Sequence, residues 1–153
     1  MASSNGSTTY SFKDSVGAFV SVLAGIYTIT GGKVGAGQIT VNNVTEHSEL
    51  DTASDGAVMT SFISGDAGDF TVECQQTSAI HKYFLAAFNL HKSAADGGDV
   101  SNWASSALQL RNIVDGSEHL LTGISFTKAP TKVYASRGQM VAWKLNASNV
   151  INL

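Results

Sequence analysis

Four histidines and one cysteine are the residues of this 153-residue chain whose chemistry could reach beyond packing: His47, His81, His91, His119 and Cys74. None of the histidines has the spacing of a zinc site, and Cys74 has no cysteine partner. His47 lies between Glu46 and Glu49. That trio offers a cation only weak ligation, and a solvated loop is the better reading. His81 and His91 flank a short helical stretch and read as ordinary helix residues. Asp115-Gly116-Ser117-Glu118-His119 sets a serine, a histidine and two acids side by side. A catalytic triad needs such groups to converge from distant segments, whereas Asp-Gly here reads as a turn between strands. Gly31-Gly32-Lys33-Val34-Gly35-Ala36-Gly37 is phosphate-friendly in composition. Val34 stands where a P-loop requires Ser or Thr after its lysine, and the dinucleotide glycine spacing is missing. The expectation is a protein that is not an enzyme, with no catalytic residues, no cofactor and no metal.

The elements that position these residues come from composition and period. Apolar residues make up 43% of the chain, enough for one well-buried core at this length and too many for a disordered chain. Charged residues are only 14%, against about 25% in a typical soluble domain. That deficit suggests a surface covered by partners. The lone cysteine excludes an intramolecular disulfide and fits a reducing compartment. Residues 1–9 are small and polar, without the basic and apolar regions of a signal peptide, and read as a flexible N-terminal arm. Asn5-Gly6-Ser7, Asn43-Val44-Thr45 and Asn146-Ala147-Ser148 fit the glycosylation pattern, but without a secretory signal they are chance matches.

Residues 15–32 carry no charge, which raises a membrane span. Their glycines and threonines, and the break near Ala24-Gly25, argue instead for two buried strands over 16–23 and 26–30. Residues 31–37 read as a turn-rich link and 38–44 as a strand with Ile39 and Val41 on one face. Residues 46–55 are polar and acidic and read as a long loop, followed by a strand over 57–63. The clearest alternation is 69–77. Phe70, Val72 and Cys74 share one face, and Asp69, Thr71, Glu73 and Gln75 the other, as in a strand with one wet face. Cys74 is then a buried, inert thiol.

One helix follows. Ser78 is suited to the N-cap, Ile80, Tyr83, Phe84, Ala87 and Phe88 form an apolar stripe at helical spacing, and Gly97-Gly98 stops it. Further strands are predicted at 106–114, 118–126, 131–135 and 139–146, the last with Val141, Trp143 and Leu145 inward and Lys144 outward. No internal repeat or linker divides the chain. Phe70, Val72, Cys74, Phe84, Phe88 and Trp143 are the expected core anchors.

Charge is distributed one-sidedly. Between Lys33 and Lys82 there is no Lys or Arg, yet seven of the twelve acids lie there: Glu46, Glu49, Asp51, Asp55, Asp66, Asp69 and Glu73. Such a stretch is either a solvated acidic face or a surface that must not adhere to nucleic acid, since phosphates bind basic patches through counterion release.

An ordered set of residues carries a family likeness. It runs Asp55-Gly56-Ala57-Val58-Met59, Glu73-Cys74-Gln75-Gln76-Thr77-Ser78, Ala107-Leu108-Gln109-Leu110-Arg111-Asn112, Asp115-Gly116, Phe126-Thr127-Lys128-Ala129-Pro130, Tyr134, Gly138 and Val141-Ala142-Trp143-Lys144. In order and spacing it resembles the tail tube proteins of bacteriophages with contractile tails, over roughly residues 10–153. The resemblance implies a mainly β fold: two packed antiparallel sheets, as a sandwich or partial barrel, flanked by one α-helix, in a single ring-forming domain over 10–153. It also implies hexameric rings that stack into the inner tube of the tail, a conduit for DNA ejection. Partners would be further copies of the chain, the tail sheath, the tape measure, and baseplate or tail-terminator proteins. DNA would pass without specific binding, and no membrane would be involved. The location would be the virion tail, assembled in the bacterial host cytoplasm. On this reading Asp66, Asp69, Thr71, Glu73 and Gln75 are candidate lumen-facing residues. Glu46, His47, Glu49, Asp51 and Asp55 belong to a candidate inter-ring loop. Two other readings remain: the tube of a bacterial contractile injection or secretion system, and a non-tubular β-domain such as a capsid decoration protein or carbohydrate-binding module.

Overall fold

A computed structural model describes Thr9, residues 15–30 and residues 36–153. The expected N-terminal arm, apart from Thr9, and residues 31–35 of the glycine-rich link lie outside the described residues. Nine strands and one helix follow in order: β1 (Ser15–Ser21), β2 (Gly25–Thr30), β3 (Ala36–Asn43), β4 (Ser48–Thr52), β5 (Val58–Phe62), β6 (Gly68–Gln75), α1 (Ala79–Asp96), β7 (Ser106–Asn112), β8 (Glu118–Phe126) and β9 (Met140–Asn152). Seven strands form one antiparallel sheet in the order β2-β1-β7-β8-β9-β6-β3, and β4 and β5 form a small second sheet. The described residues are mainly β with one helix, as the sequence indicated. No helix among the described residues is long and apolar enough to cross a membrane.

The large sheet supplies both walls of the core by curling. β1 and β6 are four strand spacings apart in the sheet order, roughly 19 Å if the sheet were flat. Yet the rings of Phe19 on β1 and Phe70 on β6 lie 6.4 Å apart. The small sheet is therefore not the second wall of the sandwich; it projects from the body. Helix α1 fills the concave side. Phe84 meets Phe19, Phe126 and Trp143 at ring separations of 5.3, 6.3 and 5.9 Å, and Phe88 meets Phe126 and Trp143. Tilted and edge-on contacts of this kind add to the area they bury. Phe70, Val72, Cys74, Phe84 and Trp143 are fully buried, and Phe88 is partly so.

Local chemistry explains the helix ends. Ser78 has extended backbone angles, and its hydroxyl accepts from the His81 amide at 3.3 Å while donating to the Gln75 carbonyl at 2.6 Å. At the other end, Gly98 adopts a φ of +97° and the chain leaves the helix axis.

Three sequence expectations are corrected. Residues 48–52 are a strand and not part of a loop. The strand expected at 131–135 does not form: residues 127–139 cross the surface without a ladder. Its Val133 and Tyr134 have β propensity, but no described strand pairs with it. Finally, β9 continues to Asn152, well past the expected end at 146. The alternation that marks β9 breaks at Ser148-Asn149: Val141, Trp143, Leu145 and Ala147 are buried, and then Val150. β8 shifts with it, since Leu121 and Ile124 are both buried and pair with Val150 and Ala147. The shift originates in a bulge, where Thr122-Gly123 adds a residue opposite β7 between the pairs Ser106↔Ile124 and Leu108↔Leu121. Gly123 carries it at φ +63°.

Candidate functional site

Two surfaces gather the residues singled out in the sequence. The first is the outer face of the β3-β6-β9 ladder. With Phe70, Val72 and Cys74 turned inward, Asp69, Thr71 and Glu73 are half-exposed on the outer face and Gln75 is exposed. They stand opposite Asn42, Thr40 and Gln38 of β3, and opposite Asn146, Lys144, Ala142 and Met140 of β9. Lys144 is directly across from Thr71, between the two acids. The face is therefore polar but only weakly acidic, a partner the one-dimensional reading of the acids did not reveal. Asp66 lies just beyond the end of this face. It bridges to Asn149, accepts the Val150 amide through its carbonyl at 2.7 Å, and its carboxylate is 3.5 Å from His47 Nε2.

The second surface is the β4–β5 hairpin, which contains Glu49 and Asp51 in β4, Asp55 in the turn, and Glu46 and His47 at its base. The register Ser48↔Phe62, Leu50↔Thr60 and Thr52↔Val58 sets Leu50, Val58 and Phe62 on one face. Glu49 and Asp51 take the other, opposite Ser61 and Met59. The period-two signal was present in Glu-Leu-Asp-Thr but was outweighed by polar composition. Asp55 shapes the turn by accepting the Ala57 amide at 3.0 Å, and the Ala53 amide donates to the Ala57 carbonyl at 2.8 Å. His47 latches the base: its Nδ1 lies 2.8 Å from the Ile63 carbonyl, its own carbonyl accepts the Ile63 amide at 2.9 Å, and its ring stacks near Phe62.

Every residue of the two hairpin strands is exposed, with Leu50 at 68%, Val58 at 58% and Phe62 at 82%. An isolated two-stranded hairpin is marginally stable in water, and this one shows its apolar face to solvent.

The remaining histidines have structural partners that sequence spacing did not reveal. His81 and His91 are buried on the inner face of α1. Trp143 Nε1 donates to His81 Nδ1 at 3.0 Å, and His91 Nε2 lies 2.7 Å from the Ser21 hydroxyl. An indole N–H only donates, so His81 is held neutral with its proton on Nε2. Burial lowers the pKa of both histidines, helped at His81 by nearby Lys132 and opposed at His91 by the Asn102 backbone. The unfolded chain therefore takes up protons on these rings first, near pH 6.5. Stability will be full above that pH and will fall as the pH drops from about 6.5 toward the depressed folded values. Thermal unfolding followed across this range will show the midpoint declining on acidification. His81→Gln with His91→Gln will flatten that decline, and an unchanged slope would contradict the assignment.

In the 115–119 segment, Asp115 accepts the Ser117 amide at 2.8 Å, which holds its carboxyl below the usual range, while His119 Nδ1 faces Asn152 Oδ1 at 2.7 Å. The histidine is thus engaged away from the serine. Among the described residues, no three His, Cys, Asp or Glu side chains converge on a common point.

A solved structure of the anti-feeding prophage cap, a tube-terminating cap, superimposes with a TM-score of 0.52 at 10% identity, covering 100% of this chain and 99% of the other. At that identity the likeness is one of fold. No curated protein sequence matches significantly. The family model of the bacteriophage PhiTE tail tube protein matches residues 7–153. A match spanning nearly the whole chain, on a curled β domain with a projecting hairpin, shows that this chain belongs to the PhiTE tail tube protein family.

Proposed function

We propose that copies of this chain form hexameric rings that stack into the inner tube of a contractile phage tail, through which DNA is ejected. The role is structural and not catalytic. The observation that carries this reading is the exposed β4–β5 hairpin, whose Leu50, Val58 and Phe62 have no cover among the described residues. Among the described residues the large sheet ends in β2 and β3, and these edges support it. Unpaired edges are aggregation hazards in a monomer, and a ring closes them against neighbours. The hairpin serves contacts between stacked rings. Sheath, tape measure, and baseplate or terminator proteins are the remaining partners, with assembly in the bacterial host cytoplasm. The family match names a phage tail tube, which favours this reading over the tube of an injection or secretion machine.

The outer face of β6 is the proposed lumen wall, with Asp69, Thr71, Glu73 and Gln75 toward the passing DNA and Asp66 at the rim. Screening confines charge effects to about 8 Å at physiological salt, a range that matters only in a narrow channel. Asp69→Lys with Glu73→Lys joins Lys144 in a basic patch repeated around the ring. Tubes will still assemble, and DNA ejection from particles carrying the variant will slow or stall as phosphates gain counter-charges. Normal ejection with altered sheath attachment would place this face on the outer wall. Light scattering across a concentration series tests assembly itself: mass will rise in steps of rings, whereas a strict monomer at high concentration would overturn the reading.

A further inference from the structure

A contact at the base of the hairpin has a geometry that a hydrogen bond does not account for. His47 Nε2 lies 3.5 Å from Asp66 Oδ1, and both side chains are half-exposed. A charge-assisted N–H···O bond is shorter, about 2.7–2.9 Å. The other ring nitrogen explains the difference. His47 Nδ1 sits 2.8 Å from the Ile63 carbonyl oxygen. A carbonyl only accepts, so Nδ1 carries the proton, and in the neutral ring Nε2 holds a lone pair. An imidazole nitrogen and a carboxylate oxygen, both electron-rich, then stand side by side. That arrangement favours a cation shared by the two.

Their separation fits one ion. Zinc takes histidine nitrogen at about 2.0–2.1 Å and carboxylate oxygen at about 2.0–2.2 Å in tetrahedral geometry, which sets the two donors roughly 3.3–3.5 Å apart. A backbone carbonyl on the second ring N–H is also what commonly fixes the tautomer and orientation of a metal-binding histidine. The pair borders a cleft of about 500 Å³, whose lining includes Asn43, Thr45 and Asn152. Sequence neighbours do not build this pair. Glu46 and Glu49 flank His47 along the chain, but its ring stacks near Phe62, which stands on the hairpin face away from Glu49. Asp66 comes from the far side of the hairpin, where it bridges to Asn149 and its carbonyl accepts the Val150 amide.

We propose that His47 and Asp66 form a site for a divalent transition metal, zinc above all, that clamps the base of the β4–β5 hairpin to the body. The imidazole nitrogen selects such an ion over calcium or magnesium, which take oxygen ligands. Water and the polar groups of the cleft supply the remaining ligands. With two side-chain ligands, fewer than catalytic or structural zinc sites use, the ion binds reversibly. Its effect is mechanical. His47 leads into β4, Asp66 is tied to β9, and Gly65 before it turns the chain at a φ of +116°, a conformation that suits glycine. An ion held by both residues spans that bend and fixes the hairpin against the large sheet. The site lies within one copy, so it stands apart from the tube reading.

Titration calorimetry of zinc chloride into the full chain tests the site, at about pH 7.5, where histidine is mostly neutral. One ion will bind per chain. His47→Gln and Asp66→Asn will each weaken binding by about tenfold or more, since losing even a residue that only supports a metal ligand costs about 10–100-fold. Glu46→Gln with Glu49→Gln will leave binding unchanged. Circular dichroism establishes that each variant folds. Hydrogen exchange reads the clamp: zinc will slow the Thr45 and Ile63 amides, which donate to the Ala67 and His47 carbonyls, in the wild-type chain and in neither single variant. Zinc uptake that is equal in the wild-type chain and both single variants would overturn the proposal. Loss of binding in the Glu46 and Glu49 variant alone would overturn it too, returning the ion to the linear acidic stretch. Binding at His47 and Asp66 without slower exchange would overturn the clamp. Each of these results leaves ring assembly to be judged on its own test.

Discussion

Trp143→Ala will destabilise the folded chain by about 3–5 kcal/mol. The indole is fully buried on β9 and touches Phe84, Phe88 and Phe126, so truncation opens a cavity at the centre of the aromatic cluster. It also strips His81 of its donor, leaving a buried acceptor unpaired. At roughly 2–4 °C per kcal/mol for a chain of this size, the melting midpoint will drop by roughly 6–20 °C. Trp143→Phe separates the two contributions. It keeps most of the ring contacts and loses the N–H, and will cost about 1–3 kcal/mol for the orphaned His81 nitrogen. Thermal unfolding of both variants checks this; an unchanged midpoint for Trp143→Ala would mean that the residue is not in the core.

Gly123→Val will cost about 2–5 kcal/mol, from two additive sources. A side chain at φ +63° is strained by about 1–2 kcal/mol. A Cβ at this position also runs into Ser148, whose Cβ would lie only 2.9 Å away, and overpacking adds about 1–3 kcal/mol. The consequence extends beyond stability. Gly123 carries the bulge that lets Leu121 and Ile124 both face inward, in step with Val150 and Ala147 of β9. Chemical denaturation will show the loss, and slower exchange-protected amides in β8 and β9 will become faster than those in β1. Wild-type stability for this variant would show that the bulge can relax without strain.

Much of this fold was legible along the chain because its signals are local. Alternation over 69–75 placed Phe70, Val72 and Cys74 on one face without knowledge of the neighbouring strands. Ser78 and Gly97-Gly98 bounded the helix through backbone chemistry that acts within one turn. What escaped depends on distant partners. His81 finds Trp143 62 residues away, and His91 finds Ser21 70 residues away, so neither looked unlike a surface helix histidine. Residues 131–135 have the composition of a strand, but strand formation needs a ladder, and the described chain provides none there. β4 was obscured for the converse reason: its acids are normal for a surface strand but dominated a reading by composition. The end of β9 was lost where the bulge in β8 forces a change of phase at Ser148-Asn149, a shift that only the paired strands reveal.

The candidate surfaces were legible to different degrees. The outward set Asp69, Thr71, Glu73 and Gln75 followed from the period alone, but Lys144 among them followed only from the β6–β9 register. The polar composition of residues 46–55 points to a surface loop; the acids are exposed, but Glu49 and Asp51 lie in a strand. The apolar face formed by Leu50, Val58 and Phe62 required the β4–β5 pairing, and that face is exposed.

Electron microscopy of the purified protein tests the proposed ring-and-tube assembly most directly. Class averages of negatively stained protein at rising concentration will show six-fold rings end-on and stacked rings side-on, with hairpins bridging successive rings. A population of isolated globules at every concentration, with no rings and no stacks, would contradict it.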